Sequence, residues 1–183
     1  MTQGKSGFDV IGQLGALRRY GLSLARNAAD AEDLVHEAVL RAYEKRASFR
    51  PDRNLRGWLL AILHNCFVDG ARRRRSEAMR LLRASEDMET HIPPPQEHAV
   101  RLAQVRQTFM ALPDEQRAAL HLVAIEGLSY QEAAAILNIP IGTLMSRLGR
   151  ARATLRAIED GGADDAPRAS HLRIVGGSDD AAN

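Results

Sequence analysis

A basic, polar stretch in the last third of the chain has side chains suited to nucleic-acid recognition. Two leucines, Leu144 and Leu148, lie four residues apart, the spacing of a buried helical stripe. A guanidinium can pair with guanine through two hydrogen bonds, and hydroxyls suit phosphates or either base type. The stretch therefore predicts a helix that presents base-reading side chains, of which the candidates are Thr143, Ser146, Arg147 and Arg150.

The sequence in front of this stretch predicts a partner helix. Ser129 and Glu132 form a capping box, in which each side chain satisfies a backbone donor at a helix start. A short Ala-rich helix follows, and Asn138–Pro140 ends it before the second helix, residues 141–157. Short helix, tight turn and basic second helix are typical of a helix-turn-helix, whose second helix enters the major groove. The alternative is an ordinary αα-hairpin in a helical bundle.

A second basic cluster, Arg72–Arg75, lies at the end of another predicted helix. The helix dipole favours cations in a last turn, but four consecutive arginines exceed what that effect requires. Phosphate contacts would use such a cluster for affinity without reading sequence. The net charge is +6 for residues 1–75 and +3 for 100–158, against −3 for 76–99 and −4 for 159–183. Two basic blocks joined by an acidic connector suit a polyanion contacted at two places.

The remaining pattern predicts an all-α chain of two small helical domains. In the first half, helices are expected over about 9–26, from about Ala31, and from Leu55 to the arginine cluster, because apolar residues recur every three or four positions. Pro51 interrupts the pattern. Three prolines, Pro93–Pro95, indicate a linker that leaves the domains loosely placed. The expected division is a domain at 9–75, a flexible linker at 76–99, a domain at 100–158 and a disordered tail at 159–183.

Several classes of function are not favoured by the composition. The lone cysteine, Cys66, cannot form an intramolecular disulfide and fits a reducing compartment. His64 and Cys66 lie two apart on a helix and do not face each other, so no metal site is expected. There is no phosphate-cradling glycine loop, no assembly of nucleophile and base, and no stretch long enough to span a membrane. We expect a cytoplasmic protein without cofactor that is not an enzyme.

Two sets of motifs resemble one known family, the extracytoplasmic-function sigma factors of RNA polymerase. The resemblance covers residues 10–158 in the family's order and spacing, and within the family it is greatest to the general-stress-response branch of alphaproteobacteria. The motifs that resemble region 2 are Asn27–Val35, Asn54–Leu60, Asn65 and the arginine cluster. Those that resemble region 4 are Leu112–Arg117, Glu126–Ala134, Pro140–Thr143 and Ser146–Arg152.

The resemblance implies three binding surfaces and an inhibitor. Core RNA polymerase would contact the charged face of the second helix, at Asp33, His36, Glu37 and Arg41. The −10 promoter element would contact Asn54, Arg56, Asn65, Arg72, Arg73, Arg74 and Arg75. The −35 element would contact Thr143, Ser146, Arg147 and Arg150. Factors of this family are commonly held inactive by an anti-sigma protein.

The sequence is compatible with three rival functions. The first is a free-standing helix-turn-helix regulator, which would bind duplex DNA without polymerase. The second is a helical protein-interaction bundle, and the third is a small enzyme that acts in the cleft between domains. The region 2 motifs argue against all three.

Overall fold

The computed structural model describes residues 8–50, 52–81 and 97–161, and every regular element within these ranges is a helix. The predicted all-α fold is confirmed. Most of the predicted flexible linker and the predicted disordered tail beyond residue 161 lie outside the described residues.

Three helices form the first half. They are α1 (Leu14–Ala25), α2 (Ala28–Glu44) and α3 (Leu55–Leu81), and a 3-10 turn precedes α1. Between α1 and α2 the chain turns sharply, since Arg26 adopts a left-handed conformation with φ 68°. Asn27 then caps α2 by accepting a hydrogen bond from the backbone N–H of Asp30 at 2.9 Å. This cap satisfies a donor that has no partner within the helix.

Four helices form the second half: α4 (Glu97–Ala111), α5 (Asp114–Leu120), α6 (Tyr130–Leu137) and α7 (Ile141–Gly161). The predicted capping box of Ser129 and Glu132 is present at the start of α6. Helix α5 is followed directly by one π-helical turn, His121–Ile125. Gly127 follows with φ 68°, a conformation that glycine adopts without strain.

Helices extend into both ends of the segment that was predicted to be a linker. Helix α3 continues to Leu81, past the predicted end at residue 75, so the first residues assigned to the linker are helical. No glycine or proline lies between Arg75 and Leu81, and the residues there include good helix formers. Helix α4 begins at Glu97, so the last three residues assigned to the linker are helical as well.

Leucines and small residues build the core. In the first half, Leu17, Leu59 and Leu63 are fully buried among α1, α2 and α3. Gly21 lets α1 and α2 cross closely, because a Cβ there would lie 3.2 Å from the Val35 side chain and 3.3 Å from the Ala31 carbonyl oxygen. In the second half, the buried residues include Leu112, Leu122, Ala133, Leu144 and Leu148.

The two halves pack against each other, which the sequence did not predict. Their buried apolar residues form one continuous cluster. Arg117 of α5 is fully buried and donates hydrogen bonds to the carbonyl oxygens of Ser23 and Leu24 at the end of α1. Arg26 also pairs with Asp114 across the interface at 2.9 Å. The two halves were expected to be loosely placed because of the proline-rich linker alone. The polar contacts between them are made by single residues, which no periodic pattern reveals.

Candidate nucleic-acid interface

Helix α7 places the four predicted base-reading residues on one side of a buried stripe. Leu144 and Leu148 lie in the core, and Ala151 continues their row one turn later. Thr143, Ser146 and Arg150 lie outside this buried row and are exposed. This division leaves the first turns of α7 free to enter a groove of DNA.

Arg147 differs from its neighbours because it already has a partner. Its guanidinium lies 2.6 Å from the Glu115 carboxylate, and only 21% of its side chain is exposed. The same face of α7 borders a shallow depression lined by Pro113, Glu115, Thr143 and Arg150. Arg147 must therefore exchange Glu115 for a nucleic-acid acceptor if it is to read a base.

Asn54 has a structural role that the sequence analysis did not assign. It precedes the first residue of α3, and its carbonyl oxygen accepts the first hydrogen bond of that helix, from the backbone N–H of Trp58. Its side-chain oxygen accepts a weaker hydrogen bond from Gly57 N–H at 3.3 Å. Asn54 is thus the N-cap of α3, and its exposed side chain lies beside the Glu132 carboxylate of α6.

Arg56 is turned toward the second half of the protein. It forms an ion pair with Glu126, and one third of its side chain is exposed. Glu126 also binds the guanidinium of Arg19 at 3.2 and 3.3 Å, and its carboxylate is fully buried. His121 contacts the same carboxylate through Nε2 at 3.3 Å. Two guanidinium groups and one imidazole therefore converge on a single buried carboxylate.

The other candidates for the −10 element lie along the exposed side of α3. Asn65, Arg72, Arg73 and Arg74 are exposed, while the side chain of Arg75 lies outside the described residues. Arg73 contacts Glu37 at 3.3 Å. The exposed part of this arginine row is a basic strip suited to phosphate contacts.

The four candidates for polymerase binding share one face of α2. Asp33 and His36 are exposed, and they have no ion pair among the described residues. Glu37 and Arg41 are half-buried and pair with each other at 2.7 Å. Arg41 also reaches Asp69 of α3 at 3.2 Å. The face therefore combines two free polar groups with two that an ion network holds in place.

Two histidines line the interface between the halves, His121 buried and His64 half-buried. His64 accepts or donates a hydrogen bond with the Tyr20 hydroxyl at 3.0 Å, and the ring of His121 packs on Tyr20. Burial, together with the charge of Arg147, lowers the pKa of His64 to about 4. Burial, together with the charges of Arg19 and Arg56, lowers the pKa of His121 to about 4. Both histidines are neutral at pH 7.

The described residues hold no group of three or more histidine, cysteine or carboxylate side chains arranged to bind a metal ion. Among the helices of these residues, none combines the length and the apolar composition needed to cross a membrane.

Comparison with known proteins identifies both halves. Sigma-70 region 2 matches residues 13–77, and Sigma-70 region 4 matches residues 102–155. These two regions in this order define a class of protein, the transcription-initiation subunits of RNA polymerase.

Full-length relatives narrow the class. The chain is 38% identical to the ECF RNA polymerase sigma factor EcfG of Rhodopseudomonas palustris, over 93% of this chain and 94% of the relative. It is 32% identical to the ECF RNA polymerase sigma factor SigM of Bacillus subtilis, over 80% and 90% of the two chains. The chain belongs to the ECF (extracytoplasmic-function) sigma factors, as its motifs predicted.

A solved structure agrees with this assignment. The sigma factor RpoE of Bartonella quintana, crystallised with the anti-sigma factor NepR, superposes with a TM-score of 0.70 at 34% identity. The match covers 82% of this chain and 94% of that one.

The sequence analysis missed several residues that hold the two halves of the protein together. Glu126 and Arg117 lie inside motifs that the family resemblance had singled out, but neither was assigned a role. Arg19 and His121 were not considered. No local signal singles out Arg117, because it follows the polar residues Asp114–Gln116 in the first half of α5.

Proposed function

We propose that this sigma factor directs transcription initiation through both promoter elements, with region 2 on the −10 element and region 4 on the −35 element. The observation that carries the proposal is the exposed polar row of α7 above a buried leucine stripe, in a chain related to ECF sigma factors over nearly its whole length. The proposed division is region 2 at 9–75, a linker at 76–99, region 4 at 100–158 and a tail at 159–183.

Arg150 is the proposed sequence-reading residue of region 4, supported by its exposure on α7. Thr143 and Ser146 are proposed to contact phosphate or base edges beside it. Arg147 joins them when Glu115 releases it. Arginine with a free guanidinium is the side chain that most often specifies guanine in the major groove.

The −10 element is proposed to bind along α3. Asn54, Arg56 and Asn65 would contact an unstacked base of the non-template strand, because a base outside the stack exposes its pairing edge. The arginine cluster Arg72–Arg75 would contact phosphates and set the register.

The charged face of α2 is the proposed contact with core RNA polymerase. Asp33, His36, Glu37 and Arg41 supply it. The ion pairs of Glu37 and Arg41 support the proposal, because they hold these side chains in one arrangement before the polymerase binds.

Regulation by an anti-sigma factor is proposed from the solved relatives. RpoE of Bartonella quintana binds NepR, and the sigma factor CnrH, 30% identical to this chain over 83% of its length, binds the cytosolic domain of CnrY. By the same reasoning we place the chain in the cytoplasm and in a stress response, and we assign it no catalytic activity of its own.

Replacing Arg150 with alanine tests the assignment to the −35 element. If Arg150 pairs with a guanine, discrimination at that base pair is expected to fall by about 1–3 kcal/mol, since two hydrogen bonds are lost. The measurement is run-off transcription with the reconstituted holoenzyme on promoters that differ at single −35 positions.

Arg156→Ala is the matched control for Arg150. It removes the same charge from an exposed residue of the same helix, beyond the N-terminal half that enters the groove. We expect little change in discrimination. An equal loss on all −35 sequences with Arg150→Ala would assign Arg150 to phosphate.

A further inference from the structure

A carboxylate lies inside the polar surface that the proposed function assigns to the −35 element. Glu115, in the first turn of α5, lines the same shallow depression as Thr143, Ser146 and Arg150 of α7. None of the other described residues that line this depression is acidic. Because DNA is a polyanion, a carboxylate at this place opposes binding to the DNA backbone.

Glu115 holds the guanidinium of Arg147, one of the four proposed −35 contacts. The two side chains form an ion pair at 2.6 Å, in which Arg147 is 21% exposed and Glu115 is 69% exposed. Both residues belong to region 4, whose match spans residues 102–155, so the pair needs no residue of region 2. An ion pair with so exposed a partner adds little to folding stability. Stability alone therefore does not explain the carboxylate.

The cost of exchanging Glu115 for DNA depends on which acceptor the DNA offers to Arg147. When Arg147 moves to a phosphate, the displaced carboxylate stays beside a second negative charge. Two like unit charges about 4 Å apart in water repel each other enough to shift an equilibrium about fivefold. A guanine edge has no net charge, and it offers two acceptors, O6 and N7, to one guanidinium. The exchange is therefore opposed at a phosphate and favoured at a guanine.

We propose that Glu115 is a specificity-determining residue of −35 recognition, which withholds Arg147 from phosphates and releases it to a guanine. The inference rests on the proposed assignment of Arg147 to the −35 element. On a wrong sequence Arg147 stays with Glu115, and the neutral pair adds nothing to the attraction for the DNA backbone. On the correct sequence, two hydrogen bonds to guanine replace the pair. Glu115 thus acts by weakening binding to wrong sequences, which is one of the two routes to specificity.

The experiment measures binding of the reconstituted holoenzyme to two promoter fragments by fluorescence anisotropy over a series of KCl concentrations. One fragment carries a promoter that the holoenzyme transcribes, and the other differs only in a scrambled −35 element. Glu115→Gln is expected to raise the affinity for the scrambled fragment about fivefold, because the repulsion is lost. The affinity for the intact promoter should change less than about twofold, since an exposed ion pair costs little to break. On the scrambled fragment, the slope of log affinity against log salt should steepen by about one, because Arg147 then neutralises a phosphate.

Two further comparisons separate this effect from general electrostatics. Glu32→Gln removes the same charge from another exposed ion pair, Arg18–Glu32 of region 2, and it should leave both the ratio of the two affinities and the salt dependence unchanged. In an Arg147→Ala background, Glu115→Gln should leave the ratio unchanged, because Glu115 acts on specificity through Arg147. A carboxylate that acted only by its closeness to DNA would change both affinities equally.

The outcomes distinguish a failure of the inference from a failure of the proposed function. If Arg147→Ala lowers the ratio of the two affinities but Glu115→Gln does not, the inference is overturned and the −35 assignment stands. If Arg147→Ala leaves the ratio unchanged, Arg147 does not read the −35 element and the inference fails with that assignment. A fall in the ratio with Glu115→Gln that persists in the Arg147→Ala background also overturns the inference. Glu115→Ala repeats the measurement, and both variants are expected to fold because the Glu115 side chain is largely exposed.

Discussion

Replacing Arg117 with methionine is expected to lower the free energy of unfolding by about 3–5 kcal/mol, because each buried acceptor that loses its donor costs about 1–3 kcal/mol. The guanidinium is fully buried at the interface. It donates hydrogen bonds to two carbonyl oxygens of region 2 and to two of region 4, and it contacts Asp114 at 2.8 Å. Methionine keeps the aliphatic stem but leaves these buried acceptors without donors.

Arg26→Ala is the control for Arg117→Met. Arg26 pairs with the same carboxylate, Asp114, but is about half exposed, as is its partner. Exposed ion pairs contribute little, so the expected loss is below about 1 kcal/mol. Urea unfolding followed by circular dichroism measures both. Similar small losses in the two variants would show that Arg117 is not the anchor of the interface.

Acidification is expected to destabilise the protein between pH 6.5 and pH 4. The pKa values of His64 and His121 are about 4 in the folded protein, and 6.5 is the ordinary value for histidine. Below pH 6.5 the unfolded chain therefore binds protons that the folded chain excludes, and stability falls as pH falls. From pH 7 to pH 5 each histidine contributes a loss of at most about 2 kcal/mol.

Variants of the two histidines isolate this effect. His121→Gln removes one titrating group and keeps a side chain able to bond to Glu126, so the pH dependence of the unfolding free energy should become shallower. The double variant with His64→Gln should flatten it further. Denaturant titrations at pH 7, 6 and 5 provide the values. A wild-type slope that both variants retain would assign the pH dependence to other groups.

The helices and their functional faces could be predicted because they follow from local pattern. Apolar spacing placed α2, and the Ser129–Glu132 capping box placed the start of α6. The π-helical turn after Leu120 could not be predicted, because nothing in the periodicity distinguishes it from an α-helical turn. The end of α3 was misjudged because the acidic residues after the arginine cluster suggested a linker, although they are compatible with a helix.

The site could be predicted only within each half. The exposed row of α7 follows from the leucine spacing, and the structure agrees. The partner of Arg56, by contrast, lies 70 residues away in the sequence, and no local rule pairs it with Glu126. Contacts between distant charged residues depend on how the two halves dock, and that information is spread over single residues such as Arg117 and Tyr20.

Promoter-dependent run-off transcription with core RNA polymerase tests the central claim most directly. We expect correctly initiated transcripts only when the chain is added to the core enzyme. Reversing the charges of Asp33 and Glu37 should weaken transcription while leaving the helical circular dichroism intact. If the folded chain supports no such transcript but binds duplex DNA tightly without polymerase, the protein is a free-standing helix-turn-helix regulator and the account is contradicted.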